Sequence, residues 1–304
     1  MKHKNKKYLI IFLIFLLLVV FYYYLSTLNF EVLNPKGTIA LQEKHLIYIA
    51  VGLSLFVVIP VYVLLISFAY KYRASNKNAD YKPNWDKNGL LETIWWVIPS
   101  ILIAILGYFT WTYSHTLDPF KPISSGDPSN NLKIEVISLD WRWLFIYPNQ
   151  KIATINYFKM PVNTNVSFYI TSDAPMNSFW IPQLAGQIYS MPGMNTELHL
   201  SSFQVGVYRG LSANLSGVGF SSMNFNADVV TTSEFNNWVS QIKSLNATNL
   251  TYQEFQKIAK PTVDSKILNF SKADPSIYAK LIDSYMSPVE KNNTNQSPIQ
   301  NMVM

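Results

Sequence analysis

The sequence predicts N-terminal transmembrane α-helices followed by an external all-β domain and a helical C-terminal tail. Three observations carry that prediction. Of the 304 residues, 49% are hydrophobic and only 14% charged, against about 25% charged in a typical soluble domain. Three long apolar runs fall before His115. From Asn131 onward, short β-branched and aromatic segments alternate with turn formers, until a helical period takes over after Thr231.

The first run, Tyr8–Leu25, follows the basic start Met1-Lys-His-Lys-Asn-Lys-Lys7. Residues 1–28 therefore read as a signal peptide or a signal anchor. The run exceeds the roughly 7–15 apolar residues of a signal-peptide core, and no small-x-small site follows, which favours an uncleaved anchor. The second and third runs, about Leu46–Tyr70 and Leu90–Tyr113, form a transmembrane helical hairpin within residues 41–115. Each exceeds the roughly 20 residues a membrane helix needs. Pro60 and Pro99 lie inside them, which neighbouring helices can tolerate. Lys71, Arg73, Lys77, Lys82 and Lys87 crowd the loop between the two runs. By the positive-inside rule that loop and the N-terminus face the cytoplasm, and everything after Tyr113 lies outside the membrane. The net charge of +6 is thus a topology signal and no sign of a nucleic-acid partner. Trp95, Trp96, Trp111 and Tyr113 suit the interfacial belts.

Glu92 opens the third run. A carboxylate there has a plain reading, stabilisation by the helix dipole. It also has a functional one, since acids near membrane depth tend to line proton paths.

Residues 125–232 read as the external domain, with candidate strands at Lys133–Ser138, Trp141–Tyr147, Val166–Thr171, Glu197–Leu200 and Phe225–Thr231. Composition alone predicts an antiparallel all-β domain. Alternate strand residues share a face, so Trp141 and Trp143 are expected side by side, with core packing as the plain role. Residues 233–290 form a helical extension: Ser233–Lys243 places Phe235, Trp238, Val239 and Ile242 on one face, and short helices follow near 252–259 and 275–286. Residues 291–304 are polar and Asn-rich, a disordered tail. The chain has no cysteine, which excludes disulfides, thiolate metal sites and a cysteine nucleophile. Of its four histidines only His199 falls beyond residue 120, so a multi-histidine metal site is excluded from the external domain.

Two stretches carry more specific information: Leu211-Ser-Ala-Asn-Leu-Ser-Gly-Val-Gly-Phe-Ser-Ser-Met223 and Met176-Asn-Ser-Phe-Trp-Ile-Pro182. Together they resemble the metal loop of cytochrome c oxidase subunit II, where a Cys-x3-Cys-x3-His-x2-Met loop and an upstream His hold a dinuclear copper centre. At those positions this chain carries Ser212, Ser216, Phe220 and Asn177, and only Met223 is retained. A retained frame with absent ligands resembles subunit II of the haem–copper quinol oxidases, the cytochrome bo-type branch. Asn34-Pro-Lys-Gly37, Lys71-Tyr-Arg-Ala-Ser-Asn-Lys77, Pro83-Asn-Trp85, Asp140-Trp-Arg-Trp143 and Gly186-Gln-Ile-Tyr189 extend the likeness over about residues 30–285.

The resemblance implies a cupredoxin-like Greek-key fold for the external domain. It implies a subunit of a proton-pumping ubiquinol oxidase in the bacterial inner membrane, with the C-terminal domain on the periplasmic side. Subunit I, bearing haems and copper, is the catalytic partner; subunits III and IV complete the complex, membrane quinol is its substrate, and cytochrome c is not a partner. This chain would hold no cofactor or metal and would act in assembly. Glu92 would stand at the mouth of a proton path into subunit I. Trp141 matches the residue where electrons arrive in copper-bearing relatives, so it is an electron-entry or quinol-proximal candidate, or simply structural. Many members of the resembling family also carry a lipid-modified cysteine near the position of Leu28, where this chain departs from them. Two other classes stay open at this point. One is a cytochrome c oxidase subunit, disfavoured by the missing ligands; the other is a membrane-anchored scaffold or binding protein outside any respiratory complex.

Overall fold

The computed structural model describes residues 30–79, 85–123, 131–245, 248–264 and 266–286, plus six isolated positions before residue 30. The readings for 291–304, for nearly all of 1–28, and for Lys82 and Pro83-Asn84 of the basic loop lie outside those residues.

After a short 3-10 turn at Glu31–Leu33 come two long helices, α1 (Thr38–Lys71) and α2 (Gly89–Thr116), containing Pro60 and Pro99 respectively. Both are long and apolar enough to cross a membrane. Beyond the polar first turns of α1 their side chains are almost all apolar on every face, and Ala40 is the one fully buried residue among those described. A helix greasy all round has no aqueous side, as expected of a membrane span. At 34 residues α1 is about 51 Å long, well beyond the ~30 Å hydrocarbon layer. Its first turns are accordingly free to pack against the β-domain.

That domain contains β1 (Asn131–Leu139), β2 (Arg142–Tyr147), β3 (Ile152–Ile155), β4 (Tyr157–Pro161), β5 (Asn165–Ser172), β6 (Asn177–Ile181), β7 (Ala185–Ser190), β8 (Thr196–Leu200), β9 (Gly206–Ser212) and β10 (Asn224–Val230). They are followed by α3 (Thr232–Ser244), α4 (Tyr252–Ile258), β11 (Leu268–Phe270) and α5 (Ile277–Met286). One sheet runs β11-β3-β2-β1-β5-β8 and the other β4-β10-β9-β6-β7, a cupredoxin-like sandwich. The expectation of purely antiparallel pairing is corrected. β1 runs parallel to β5, and β4 parallel to β10. Each such pair is joined by chain that crosses elsewhere in the sandwich, as parallel neighbours require.

Aromatic rings fill the space between the sheets. Phe179 and Phe225 stack with centroids 5.0 Å apart, and Trp143 meets Phe179 edge-on at 5.3 Å, geometries that suit the ring quadrupole. α3 closes this core with Phe235, Trp238, Val239 and Ile242, the face the sequence period predicted. Its N-terminus is fixed by a capping box: Thr231 Oγ1 accepts from Glu234 N at 3.3 Å, while Glu234 Oε2 accepts from Thr231 N at 2.9 Å.

A second core lies on the outer face of the six-stranded sheet. There Ile137, Leu139, Leu144, Ile146 and Ile155 meet Phe255, Phe270, Ile277, Tyr278 and Leu281 of the C-terminal segment. Strand β1 therefore buries both its faces, which is why its sequence lacks clean alternation. The extension is also not purely helical. β11 pairs with β3 and adds an edge to the sheet.

Candidate functional site

Five of the residues singled out in the sequence meet at one corner of the sandwich. Asn177 begins β6, Ser212 ends β9, and a loop carrying Ser216 leads into the short 3-10 turn Phe220–Ser222 and then Met223. Ser212 Oγ donates to Asn177 Oδ1 at 2.9 Å, and Asn177 Nδ2 donates to the Pro175 carbonyl at 3.0 Å. The Ser212 amide donates to the Met223 carbonyl at 3.1 Å. Asn177 and Ser212 are buried, and Met223 is packed into the inner core. Phe220 is half-buried. The Ser216 hydroxyl is buried and makes no hydrogen bond among the described residues. Its carbonyl is used instead.

That carbonyl accepts from Trp141 Nε1 at 3.2 Å. Trp141 is not a strand residue as expected. It sits in the two-residue turn between β1 and β2, across which Leu139 pairs with Arg142, and has φ 67°. Its side chain therefore does not share a strand face with Trp143, which is fully buried in the inner core. The indole lies over the loop instead. A Cβ on Gly219 would stand 2.3 Å from Trp141 Cδ2, and one on Gly217 (φ 111°) 3.3 Å from Cζ2. The two glycines are what let the ring lie on the loop backbone.

Buried hydroxyls continue the polar character beneath the corner. Asn177 pairs with Ser190 across β6 and β7. Ser190 donates to the Thr171 carbonyl at 2.6 Å, and Ser138 donates to Ser172 at 2.7 Å. Satisfied bonds of this kind are what make buried polar groups tolerable.

The donor set can be compared directly with what dinuclear copper needs, which is soft thiolate and imidazole ligands. The corner offers two hydroxyls, a carboxamide, a phenyl ring and one thioether. Asn177 is already engaged at both its oxygen and its nitrogen. These residues do not fit copper, and no group of three or more potential ligands occurs among the described residues.

Glu92 belongs to a different place. It lies in the first turn of α2, whose N-cap Asn88 accepts from Leu91 N at 3.1 Å through Oδ1. Its exposed side chain lines a hollow of about 160 Å³ with Trp85, Asp86, Lys87 and Trp95. The 24 positions from Glu92 to Thr116 span about 36 Å of helix. The acid and the loop corner thus sit at opposite ends of the hairpin.

One functional element was not assigned from the sequence: a latch holding α1 to the sandwich. Lys36 N and Gly37 N both donate to the Gln183 carbonyl, at 2.7 and 3.0 Å, and Ala40 N donates to that of Leu184 at 3.3 Å. Ser202 Oγ and Phe203 N donate to the Lys36 carbonyl, each at 3.0 Å. A Cβ on Gly37 would stand 2.2 Å from the Leu184 oxygen, so only glycine fits. The run Asn34–Gly37 was the available signal, but nothing local shows that its partners lie some 150 residues away.

Comparison with known proteins gives consistent relatives. Residues 147–230 match the family described as cytochrome c oxidase subunit II, periplasmic domain, and residues 246–289 match the COX aromatic rich motif. The chain is 45% identical over 261 residues to cytochrome bo(3) ubiquinol oxidase subunit 2 of Pseudomonas putida, covering 86% of this chain and 82% of that protein. It is 40% identical over 276 residues to ubiquinol oxidase subunit 2 of Acetobacter aceti, covering 91% and 89%. The crystal structure of the periplasmic domain of subunit II of cytochrome oxidase from Bradyrhizobium japonicum aligns with 36% of this chain and 91% of its own, at 22% identity and TM-score 0.35.

Proposed function

The chain belongs to the cytochrome bo(3) ubiquinol oxidase subunit 2 family, and from that premise we propose that it is a copper-free, structural subunit whose complex draws electrons from membrane quinol. Membership carries a quinol oxidase subunit II role, a subunit I partner and residence in the inner membrane. The finer reading rests on one observation, the chemistry of the corner built by Asn177, Ser212, Ser216, Phe220 and Met223. A subunit that relays electrons from a water-soluble donor needs a metal centre, and these side chains cannot ligate one. Quinol is lipid-soluble and reaches subunit I through the bilayer, so no external relay is required. The complex then oxidises quinol and reduces oxygen to water, with haems and copper held by subunit I.

Within that scheme the corner has a mechanical task. The Ser212–Asn177 bond and the buried Met223 keep the loop closed. Trp141, pinned to the Ser216 carbonyl, holds the loop's outer strand of backbone in place. Its role is structural, and electrons do not pass through it. Glu92 supplies a carboxylate at the cytoplasmic mouth of a proton path into subunit I. Its exposed position at the start of α2, ringed by Trp85 and Trp95, supports that reading. The basic loop at Lys71, Arg73, Lys77 and Lys87 supports a cytoplasmic side for this end and an external side for the sandwich. The domain limits proposed from the sequence, 41–115 for the hairpin and 125–232 for the sandwich, remain the working division. Subunits III and IV are the remaining proposed partners.

Turnover of the purified complex tests the reading. Oxygen consumption driven by a soluble ubiquinol is expected to be fast, and consumption driven by reduced cytochrome c negligible. Rapid turnover with cytochrome c, or copper bound to this polypeptide, would refute it.

A further inference from the structure

Where the two helices meet the sandwich, α1, α2 and the segment after α2 enclose a hollow of about 420 Å³, walled by Thr38, Ile39, Gln42, Thr116, Asp118 and Lys121. It shares Ile39 and Asp118 with a smaller crevice of about 80 Å³, which also reaches Glu43, Gln187 and His199. Lower between the helices lies a wholly apolar groove of about 360 Å³ formed by Leu53, Phe56, Ile98, Ile101, Leu102 and Ile105. Hollow and groove are on one line. Gln42 and Leu53 are 11 positions apart on α1, and Ile105 and Thr116 are 11 apart on α2. Eleven positions are almost exactly three helical turns, so each pair shares a face, separated by about 16 Å along the axis.

Charged groups line the upper part. Lys121 and Asp118 both face the larger hollow, and Asp118 and Glu43 border the crevice. None of the three belongs to an ion pair among the described residues. His199, 8% exposed, walls the crevice: its Nδ1 lies 2.9 Å from Ser167 Oγ, and its Nε2 faces Glu197 Oε2 at 3.6 Å. A cation in the hollow, two carboxylates at the crevice and a greasy slot below form the outline of a lipid with a zwitterionic head.

We propose that this furrow binds one amine-bearing zwitterionic phospholipid from the external leaflet. Its phosphate lies beside Lys121, its ammonium enters the crevice between Asp118 and Glu43, and an acyl chain follows the Leu53–Ile105 groove. Charge complementarity selects this class. Asp118 Oδ1 accepts from Phe120 N at 3.0 Å, and the Glu43 carboxylate takes a backbone hydrogen bond from Gly186; their remaining lone pairs can accept from an amine, which neither a choline headgroup nor an anionic headgroup without an amine offers. The proposal rests on the membrane-hairpin reading of α1 and α2.

The test uses the oxidase complex containing this chain, purified from membranes, stripped of lipid and weighed by native mass spectrometry. Dioleoyl phosphatidylethanolamine, phosphatidylcholine or phosphatidylglycerol is then added. Wild-type complex is expected to retain one phosphatidylethanolamine through washing, with at least five-fold lower occupancy for the other two. Lys121→Gln and Asp118→Asn should each lower that occupancy at least five-fold. Leu53→Trp, which fills the groove and leaves every charge in place, should do the same. Haem content and subunit stoichiometry show that the variants have assembled. Unchanged occupancy in Lys121→Gln and Leu53→Trp, equal retention of phosphatidylglycerol, or a quinone in place of lipid overturns the proposal. Release of the chain from membranes by alkaline carbonate would instead refute the hairpin reading, a separate result.

Discussion

The hairpin and the sandwich handle apolar side chains in opposite ways. The sandwich buries its aromatics in two cores, one between the sheets and one beneath the C-terminal segment. The hairpin buries Ala40 and almost nothing else, and its two helices touch each other only lightly. One half is held together by its own contacts. The other depends on its surroundings, because greasy helices have no hydrophobic drive to pack on each other when the solvent is itself hydrocarbon. The roles of residues divide accordingly. In the sandwich, Asn177, Ser212 and Trp141 at the loop corner are held by neighbours within the chain. In the hairpin, the chain itself offers Glu92 only the dipole of its own helix, and the proposed proton role needs a partner.

Paired glycine substitutions would break this contrast most sharply. Gly37→Val places a side chain against the Leu184 carbonyl, and should cost the external domain more than about 3 kcal/mol, read as a lower denaturation midpoint. Gly52→Val meets nothing within 4 Å, and should change stability by no more than about 0.5 kcal/mol. Equal effects would end the distinction. Next, Glu92→Gln should slow oxygen reduction by the complex several-fold while leaving the melting of the sandwich unchanged. Unaltered turnover across pH would remove the proton-path role.

A smaller effect is expected at the loop corner. Ser212→Ala leaves Asn177 Oδ1 buried without its donor, so a loss of about 1–3 kcal/mol should appear in denaturant melts, with quinol-driven turnover at wild-type rates. Smallest of all is a pH effect at His199. Burial lowers its pKa from the ordinary value of 6.5, only partly offset by nearby Glu197. The unfolded chain then takes up the proton more readily than the folded one. Stability is full above about pH 6.5 and falls as pH drops towards the folded pKa, by no more than about 1.4 kcal/mol per unit. The His199→Gln variant should flatten that slope.

Legibility in the sequence followed the same division. Apolar length alone located both spans, and the strands Asn131–Leu139, Asn165–Ser172 and Thr196–Leu200 were found to within about two residues, because β-branched, aromatic or leucine side chains recur there at short intervals. The face of α3 was equally plain, since its period is undisturbed. Strands β3, β4, β6, β7, β9 and β11 were not found: β7 and β9 contain glycines, and the extended form of these short segments depends on pairing with other strands. Trp141 was misread because an aromatic beside a β-run looks like more strand. Nothing local announces a tryptophan at φ 67°, a conformation that turns usually assign to Gly or Asn. The frame of the loop corner was legible through family resemblance. The orphaned Ser216 hydroxyl was not, since satisfaction of a buried group depends on three-dimensional neighbours.

The latch at Gly37 has a consequence for biogenesis. Its two sides, Lys36–Ala40 and Gln183–Phe203, are separated by the whole hairpin and by half of the sandwich. A ribosome delivers the first side, then both spans, long before the second side exists. The spans must therefore enter the bilayer without guidance from the domain that later grips them. That domain has to close around a post already standing in the membrane, so its final angle is decided last.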